Sequence, residues 1–263
     1  VLVAGLVDFS LPPFLTPGTL NAPGGLILKA NFARDTRSGR KKGRSTMTTK
    51  TAVESKTKIH HRYYKEDGTR VPSSTTALSI LAKPALIDWA WKMGMEGEDY
   101  RKYRDDKGEI GTLAHHMILC DAKGIKPNTD NYSKRQIDLA ENCLLSYYEW
   151  EKGHQIKDVL IEEPLVSEKY GFGGTPDRLA YVDGILTLLD YKTGKGIYEE
   201  YYYQTCSYEK LIEECKNQYP ERIMILNIPR DEDEEFALKV YKNFDKGWEI
   251  FYHCLQIYKL RRS

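Results

Sequence analysis

Hydrophobic and polar residues follow a regular pattern only after about residue 50 of this 263-residue chain. The stretch RYYKEDGTRVPS predicts a small hairpin, because Asp67-Gly68 between alternating residues favours a tight turn. The run SSTTALSILAKPALIDWAWKMG predicts two short helices, since Pro84 divides it. Two amphipathic helices are predicted next, one ending near Gly124 and a longer one ending near Gly153.

Three strands are predicted after these helices, over residues 157–167, 173–182 and 185–192, from short apolar runs bounded by turn residues. The tract YEEYYYQTCSYEKLIEEC predicts a helix, RIMILNIP and FALKVYK predict two more strands, and WEIFYHCLQIYKLRR predicts a last helix. From about residue 110 the order is therefore ααβββαββα, without an internal repeat. This order predicts an α/β fold with a central mixed sheet flanked by helices.

Residues 1–50 differ from the rest of the chain. LPPFLTPGTLNAPGG is rich in proline and glycine, and RDTRSGRKKGRSTMTTK carries seven basic residues against one acidic residue, a local charge of +6. Neither stretch has a helix or strand period, so residues 1–50 are expected to form a disordered or non-native basic arm. Our hypothesis is that Met47 is the native start and that the residues before it are upstream sequence. A basic targeting arm is the alternative.

Charge is unevenly distributed along the chain. The whole chain has a formal net charge of +1, residues 1–33 are neutral, and the basic run carries +6. The residues from Thr51 onward therefore have a net charge of about −5. Bulk charge therefore does not predict a nucleic-acid partner, and a local groove would have to supply the attraction. Nineteen tyrosines against seven phenylalanines favour a polar binding surface, although tyrosines at the edge of a core give the same count.

Cysteines and apolar runs narrow the class of protein. The five cysteines, at positions 120, 143, 206, 215 and 254, include no C-x-x-C pair, so neither a zinc site nor a disulfide framework is predicted. No apolar run approaches the roughly 18 residues of a membrane span, and no membrane partner is expected. The cysteine usage predicts an intracellular, reduced protein, with targeting to an organelle as the open alternative.

The candidate chemistry lies in GGTPDRLAYVDGILTLLDYKTGKG, residues 173–196, where charges interrupt two apolar strands. Side chains alternate across a strand, so Asp190 and Lys192 share one face while Tyr191 points to the other. The turn between the two strands brings Asp177 close to Asp190. Two carboxylates this close repel unless a cation lies between them, and oxygen ligands favour Mg²⁺ or Mn²⁺. For an isolated D-x-K, a salt-bridged strand end is the alternative.

The string G-G-T-P-D, followed by twelve residues and D-Y-K-T-G, closely resembles the PD-(D/E)xK nuclease superfamily. Within it, the match is similar to the RecB-type exonucleases, including phage and mitochondrial-genome-maintenance-type exonucleases, and covers roughly residues 70–220. The resemblance implies a restriction-endonuclease-like core preceded by a helical lead-in. The predicted nuclease domain spans residues 51–263, with the lead-in over 70–125 and the catalytic core over 110–263.

The resemblance assigns roles to the residues of the predicted hairpin. It implies that Asp177 and Asp190 bind the catalytic metal ion together with the backbone carbonyl of Tyr191. It also implies that Lys192 assists the attacking water. The alternation of side chains permits these roles, and the resemblance is what assigns them.

Two more site positions come from motifs before these strands. The family places a glutamate on the strand that precedes P-D, and LIEEPLV offers Glu162 and Glu163 on opposite faces. Glu162 is preferred, because E-x-P-L is the more familiar form. The family motif G-x-x-x-H matches GTLAH, so Gly111 and His115 lie one turn apart on one helix face, with His115 near the metal. The adjacent His116 competes for that role.

The helix after D-x-K carries Q-x-x-x-Y in RecB-type members, and QTCSY supplies Gln204 and Tyr208 on one face. The resemblance implies that this pair organises the site by hydrogen bonds to the lysine and to a phosphate. An ordinary amphipathic helix is the alternative. The lead-in helices offer further candidates for contact with a DNA strand: Ser74, Thr75, Lys83, Trp89 and Lys92.

The predicted function is a Mg²⁺- or Mn²⁺-dependent DNA exonuclease, a phosphodiesterase acting in recombination, repair or replication, with no iron–sulfur cluster expected. The family motifs G-x-x-x-H and Q-x-x-x-Y favour end-processing or single-strand preference. The expected partners are single-stranded DNA or DNA ends, and a recombination or single-strand-binding protein. Three alternatives stay open: a non-catalytic DNA-binding partner that keeps the fold, a structure-specific endonuclease, and an unrelated α/β protein with accidental motifs.

Overall fold

A computed structural model of the chain describes residues 61–263. The predictions for residues 1–50, including the basic arm and the start at Met47, lie outside the described residues. None of the helices in the described part of the chain combines the length and the apolar character that a membrane crossing requires.

Nine strands and six helices make up residues 61–263. Five strands form the central sheet, and two pairs of short strands form separate ladders. In chain order the elements are β1 (Tyr63–Tyr64), β2 (Arg70–Val71), α1 (Ser74–Leu78), α2 (Pro84–Met95), α3 (Tyr100–Ala122), α4 (Lys134–Glu151), β3 (Ile156–Ile161), β4 (Leu165–Ser167), β5 (Phe172–Gly174), β6 (Arg178–Val182), β7 (Ile185–Lys192), α5 (Glu199–Lys216), β8 (Arg222–Asn227), β9 (Ala237–Tyr241) and α6 (Asp245–Leu260).

The central sheet has the strand order β3-β6-β7-β8-β9. Strands β7 and β8 run parallel, while the other neighbouring pairs are antiparallel. Helix α5 connects the parallel pair, because a parallel connection needs a segment long enough to return along the sheet. The sheet is therefore mixed, as the order of elements predicts.

Helices cover both faces of this sheet. On one face α3 and α4 form a core with the sheet that includes Tyr147, Leu189 and Tyr191. On the other face α1, α5 and α6 form a core with the sheet that includes Leu188 and Ile223. Successive residues of β7 enter opposite cores, which requires an apolar side chain at most of its positions. The predicted α/β fold with a central mixed sheet and flanking helices is confirmed.

Two predicted strands are each broken into two. One strand over residues 157–167 is wrong: β3 stops before Glu162, and β4 pairs with β5 in a separate ladder. Glu162 turns the chain with a φ of 50°, a left-handed conformation that costs a residue with a Cβ roughly 1–2 kcal/mol. The predicted strand over 173–182 is interrupted at Pro176, since proline has no N–H to donate to a sheet. Asp177 therefore lies in a bend at the start of β6.

Strand β5 packs against the β1–β2 hairpin and α5, and it leads into the loop before β6. A Cβ atom at Gly173 would overlap the ring of Tyr63, and one at Gly174 would lie 2.5 Å from Cε1 of Tyr208. Glycine is therefore required for both rings to pack on this strand. The hydroxyl of Tyr63 is hydrogen-bonded to Oγ1 of Thr175 at 2.9 Å, which ties the hairpin to the loop between β5 and β6.

Candidate active site

The hairpin of β6 and β7 brings two predicted carboxylates to one edge. Its antiparallel register pairs Arg178 with Leu189, and one residue further the same register places Asp177 opposite Asp190 on one face. The N–H of Tyr191 donates a 2.8 Å hydrogen bond to Oδ2 of Asp177. Asp177 and Asp190, called the carboxylate pair below, are therefore positioned by backbone pairing.

Asp190 is a buried carboxylate with an incomplete set of partners. Only 1% of its side chain is exposed, and its Oδ2 lies 2.7 Å from Nζ of Lys192 in an ion pair. Its Oδ1 has no hydrogen-bond partner in the described part of the chain. Burial raises the pKa of Asp190 to about 6; Lys192 opposes this rise and Asp177 adds to it. Packing alone does not account for such a group, because an unpartnered buried carboxylate oxygen destabilises a fold.

Lys192 completes the charged edge. Its Nζ also lies over the ring of Tyr201, 5.1 Å from the centroid, which is a cation–π contact. Burial acts to lower the pKa of Lys192, but Asp190 and Asp177 raise it above its ordinary value. The side chain is therefore an ammonium, which donates hydrogen bonds and neutralises negative charge but accepts no proton. Sequence reasoning missed Tyr201, although its position on the tyrosine-rich helix, three residues before Gln204, was visible.

Helix α3 supplies His115 to the same edge. Nδ1 of His115 lies 3.6 Å from Oδ2 of Asp177, and its ring meets the ring of Tyr191 edge-on with centroids 6.1 Å apart. Burial acts to raise the pKa of Asp177, but the net shift is downward, chiefly because of His115. His116 lies beside Cys120, with Nε2 3.5 Å from Sγ. Because adjacent helix residues point about 100° apart, only His115 faces the carboxylate pair.

Gly111 allows α3 to approach the end of β7. A Cβ atom at this position would lie 2.5 Å from Oγ1 of Thr193, too close for a real contact. Glycine weakens a helix interior by about 1 kcal/mol relative to alanine, so close approach rather than helix formation explains the residue. In the G-x-x-x-H motif, Gly111 sets the distance between elements and His115 faces Asp177.

Replacing Gly111 by alanine is expected to lower the free energy of unfolding by roughly 1–3 kcal/mol, because the new Cβ forces Thr193 or the helix to move. Urea unfolding measures the change. Gly94→Ala is the matched control: Gly94 also lies in a helix, and a Cβ there meets nothing within 4 Å, so this variant is expected to be neutral or slightly stabilised. Equal stability of the two variants would contradict the steric role of Gly111.

Glu162 brings its backbone, rather than its carboxylate, to the site. Its N–H donates a 2.9 Å hydrogen bond to the carbonyl oxygen of Asp177. Its side chain, 44% exposed, pairs with Lys123 just after α3, at 3.3 Å, and Glu163 pairs with Lys216 on α5. Neither glutamate joins the carboxylate pair in this arrangement, so metal binding by Glu162 stays a prediction.

The Q-x-x-x-Y residues of α5 are hydrogen-bonded to each other, and the ring of Tyr208 packs on Gly174. Nε2 of Gln204 donates a 2.5 Å hydrogen bond to the hydroxyl of Tyr208. Burial, together with Asp190 and Asp177, raises the pKa of Tyr208 well above its ordinary value. With 6% exposure, Tyr208 offers little surface to a phosphate. The arrangement fits the site-organising role of the two residues.

Among the lead-in candidates, Ser74 is a core residue with 1% exposure. Its Oγ lies 2.8 Å from Oγ of Ser207 and 3.3 Å from the carbonyl oxygen of Gly173. It therefore links α1 to α5 and β5, which fits a site-organising role and leaves no surface for contact with a DNA strand.

The remaining lead-in candidates lie at the surface or on α2. Thr75 and Lys92 are exposed. Lys83 pairs with Glu200 at the start of α5, at 3.3 Å. Trp89 packs against two tyrosine rings of α3, with centroids 6.1 and 5.9 Å away. Their contact with DNA stays a prediction.

Sequence reasoning missed Arg178, which directly follows Asp177. Its guanidinium is 4% exposed, and Nη2 donates a 3.0 Å hydrogen bond to Asp158 while Nη1 donates one of 2.7 Å to the hydroxyl of Tyr147. That hydroxyl in turn donates to Glu151 at 2.6 Å. These bonds connect the start of β6 to β3 and α4 and so fix the chain beside the carboxylate pair. A charged residue in the apolar run RLAYV was the available sequence sign.

The residues at this edge offer the oxygen ligands that a hard divalent cation prefers. Asp190 keeps an unpartnered buried oxygen, and Asp177 lies opposite. The carbonyl of Tyr191 faces the same side as its N–H, because both groups of a strand residue point to one neighbour. The ligating side chains are too few for a complete metal site, since residues 61–263 contain no group of three or more His, Cys, Asp or Glu side chains placed to hold an ion.

Comparison with known proteins finds only distant similarity. No family model and no curated protein matches the chain. It is similar to the solved structure of a candidate exonuclease from Eubacterium rectale, at 13% identity and a TM-score of 0.35, over 69% of this chain and 66% of the other. It is also similar to the alkaline exonuclease LHK-Exo of Laribacter hongkongensis, at 14% identity and a TM-score of 0.33, and to LHK-Exo in complex with dAMP, at 13% and 0.34. Both of these matches cover 56% of this chain and 76% of LHK-Exo. Similarity this low leaves the function to be argued from the residues of the site.

Proposed function

We propose that the protein is a metal-dependent DNA exonuclease, a phosphodiesterase that removes nucleotides from DNA. The observation that carries the proposal is Asp190, a buried carboxylate with an unpartnered oxygen beside Asp177 and the ammonium of Lys192. Such a cluster does not stabilise a fold. Hydrolysis of a phosphodiester, in contrast, needs a cation near the phosphate and positive charge near the reacting oxygens.

The ligands for the cation would be Asp177, Asp190, the carbonyl of Tyr191 and the imidazole of His115. Glu162 would join them if its side chain left its ion pair. When bound, a divalent cation polarises the scissile phosphate and lowers the pKa of a bound water. The carboxylate pair is positioned for this role by the strand register and by the hydrogen bond from the N–H of Tyr191.

Lys192 would act on the reacting phosphate. Its ammonium is held beside Asp190 and the ring of Tyr201, where it would orient the attacking water or neutralise charge that develops on the phosphate oxygens. As the water oxygen bonds to phosphorus, the bond from phosphorus to the 3′ oxygen breaks. The water gives up a proton to solvent, the 3′ oxygen takes one from solvent and leaves as a hydroxyl, and the other product keeps a 5′ phosphate.

Action at DNA ends, preference for single strands and a role in recombination, repair or replication are finer parts of the proposal. They rest on the G-x-x-x-H and Q-x-x-x-Y motifs. Support comes from His115 of the first motif, which lies beside Asp177, and from Tyr208 of the second, which packs on Gly174, three residues before Asp177.

Removal of divalent metal is expected to abolish nucleotide release, because the carboxylate pair and the DNA phosphate repel each other without a cation. The measurement is release of labelled nucleotides from DNA in Mg²⁺ or Mn²⁺ and in EDTA, with metal added back as the control for damage. Single strands and duplexes blocked at the 5′ or the 3′ end report the polarity. Release that persists in EDTA would contradict metal dependence, and no release in either metal would contradict the nuclease.

A non-catalytic DNA-binding role is the second candidate. It is favoured by the ion pair of Lys192 with Asp190 and by the lack of a three-ligand cluster in the described residues. Retention of DNA without cleavage in Mg²⁺ and in Mn²⁺ would support this role.

A further inference from the structure

A pocket of about 420 Å³ lies where the β1–β2 hairpin, the start of α1 and the end of α6 meet. It is called the basic pocket below. Neither aspartate nor glutamate occurs among its lining residues, and its basic ones are His61, Arg62, Arg70, Lys259 and Arg262. A concave site with three arginines, one lysine and no acidic side chain has the composition of an anion site.

Within residues 61–263, the arginines of the basic pocket have no acidic partner. Arg62, Arg70 and Arg262 take part in none of the ion pairs found in the described part of the chain. The guanidinium of Arg262 lies over the ring of Tyr258, 4.7 Å from its centroid, which orients it without neutralising it. All three arginines are exposed, so their donors are open to a ligand.

Lys259 adds a partly buried positive charge to this pocket. Its Nζ donates a 2.5 Å hydrogen bond to the carbonyl oxygen of Tyr170. Burial and the neighbouring Lys65 lower its pKa, whereas a nearby carboxylate would raise it. This concentration of like charge stands out because the chain from Thr51 onward is acidic overall, at about −5.

The basic pocket is connected directly to the candidate active site. Tyr63 lines the pocket, and its hydroxyl is bonded to Oγ1 of Thr175, two residues before Asp177. The carbonyl of Pro72, another lining residue, accepts a 2.9 Å hydrogen bond from the N–H of Gly173. The side chain of Tyr63 thus lies between the pocket and the loop that leads to Asp177.

We propose that the basic pocket binds the phosphodiester backbone of the nucleic-acid substrate and holds the strand while the carboxylate pair acts on it. This inference rests on the proposed function. Guanidinium groups match phosphate oxygens with paired hydrogen bonds. Contacts of this kind do not read bases. The pocket therefore sets affinity for strands of any sequence and leaves the rate of the chemical step unchanged.

The test is the salt dependence of DNA binding, measured in EDTA by fluorescence anisotropy with a short labelled single strand. Arg70→Ala combined with Arg262→Ala is expected to raise Kd on the order of tenfold. It is also expected to reduce the slope of log Kd against log salt by about 1.4, since each phosphate contact in a single strand contributes about 0.7. Arg70→Lys with Arg262→Lys is expected to keep most of the slope, because the charge remains.

A double variant with the same loss of charge is the matched control. Lys126 and Lys157 are exposed and lie outside the pocket lining, so Lys126→Ala with Lys157→Ala is expected to leave the slope nearly at the parent value. A slope change equal to that of the arginine variant would overturn the proposal. Binding of inorganic phosphate that the arginine variant loses, with DNA affinity and salt slope equal in variant and parent, would also overturn it, in favour of a small-anion site.

Failure of this inference and failure of the proposed function give different results. In Mg²⁺ the arginine variant is expected to reach the parent rate of nucleotide release at saturating DNA, with a raised KM. An unchanged KM and salt slope in an active protein would refute the pocket alone. No release from the parent protein would refute the nuclease, and the anisotropy measurement would still decide whether the basic pocket binds DNA.

Discussion

Replacement of Asp190 by asparagine is expected to reduce nucleotide release on the order of 10³-fold. Asparagine has nearly the same shape as aspartate but no charge, so the register of β6 and β7 is expected to persist. The variant loses the buried carboxylate whose Oδ1 is unpartnered, and with it the charge that would attract a cation to this edge. Asp177 alone would then face the phosphate.

Two measurements separate this effect from unfolding. Calorimetry is expected to show Mg²⁺ or Mn²⁺ uptake by the parent protein and none by the Asp190→Asn protein, while the midpoint of thermal unfolding reports whether the variant is folded. Asp130→Asn, at an exposed aspartate in the loop after α3, is the matched control and is expected to keep both activity and uptake. A folded Asp190→Asn protein with parental activity would refute the proposed role of the carboxylate pair.

Replacement of Lys192 by alanine is expected to lower the rate of nucleotide release at saturating DNA on the order of 10²-fold. The ammonium lies 2.7 Å from Asp190, next to the position proposed for the phosphate, and alanine leaves the developing negative charge without this partner. Cation uptake is expected to remain, because removal of Lys192 leaves both carboxylates in place. The loss is thus expected in kcat more than in KM.

Lys195→Ala is the matched control for this variant. Lys195 follows Lys192 by three residues and is exposed, so its removal takes away the same charge near the same strand end without reaching Asp190. It is expected to leave kcat close to the parent value. Equal losses in the two lysine variants would show that Lys192 acts only through general positive charge, and equal activity of Lys192→Ala and the parent would exclude it from the reaction.

Several elements could be predicted because their determinants lie within a few residues. The turn at Asp67-Gly68 and the strand Ile185–Lys192 both occur where the pattern predicts them. The alternation of side chains along that strand puts Asp190 and Lys192 on one face, where they form an ion pair. Helix spacing likewise puts Gln204 and Tyr208 within hydrogen-bond distance.

Both strand breaks contain a proline, Pro164 or Pro176, a local signal that the predicted strands run across. Nothing in IEEPLV indicates that Glu162 adopts a positive φ, or that β4 leaves the central sheet for a ladder with β5. That ladder depends on Gly173 and Gly174, which accept aromatic rings from distant parts of the chain. Such contacts are formed by residues far apart in sequence, so no local pattern reports them.

For this protein the sequence by itself determined the fold class and the charged residues of the central hairpin, because hydrophobic periodicity and strand alternation are local properties. Only the tertiary structure decided that His115 rather than His116 faces Asp177, and that the carboxylate of Glu162 turns to Lys123. It alone brought the unpaired arginines of the basic pocket together from both ends of the described chain. The physical reason is that ion pairing and burial depend on distances between side chains, which packing sets after the elements have formed.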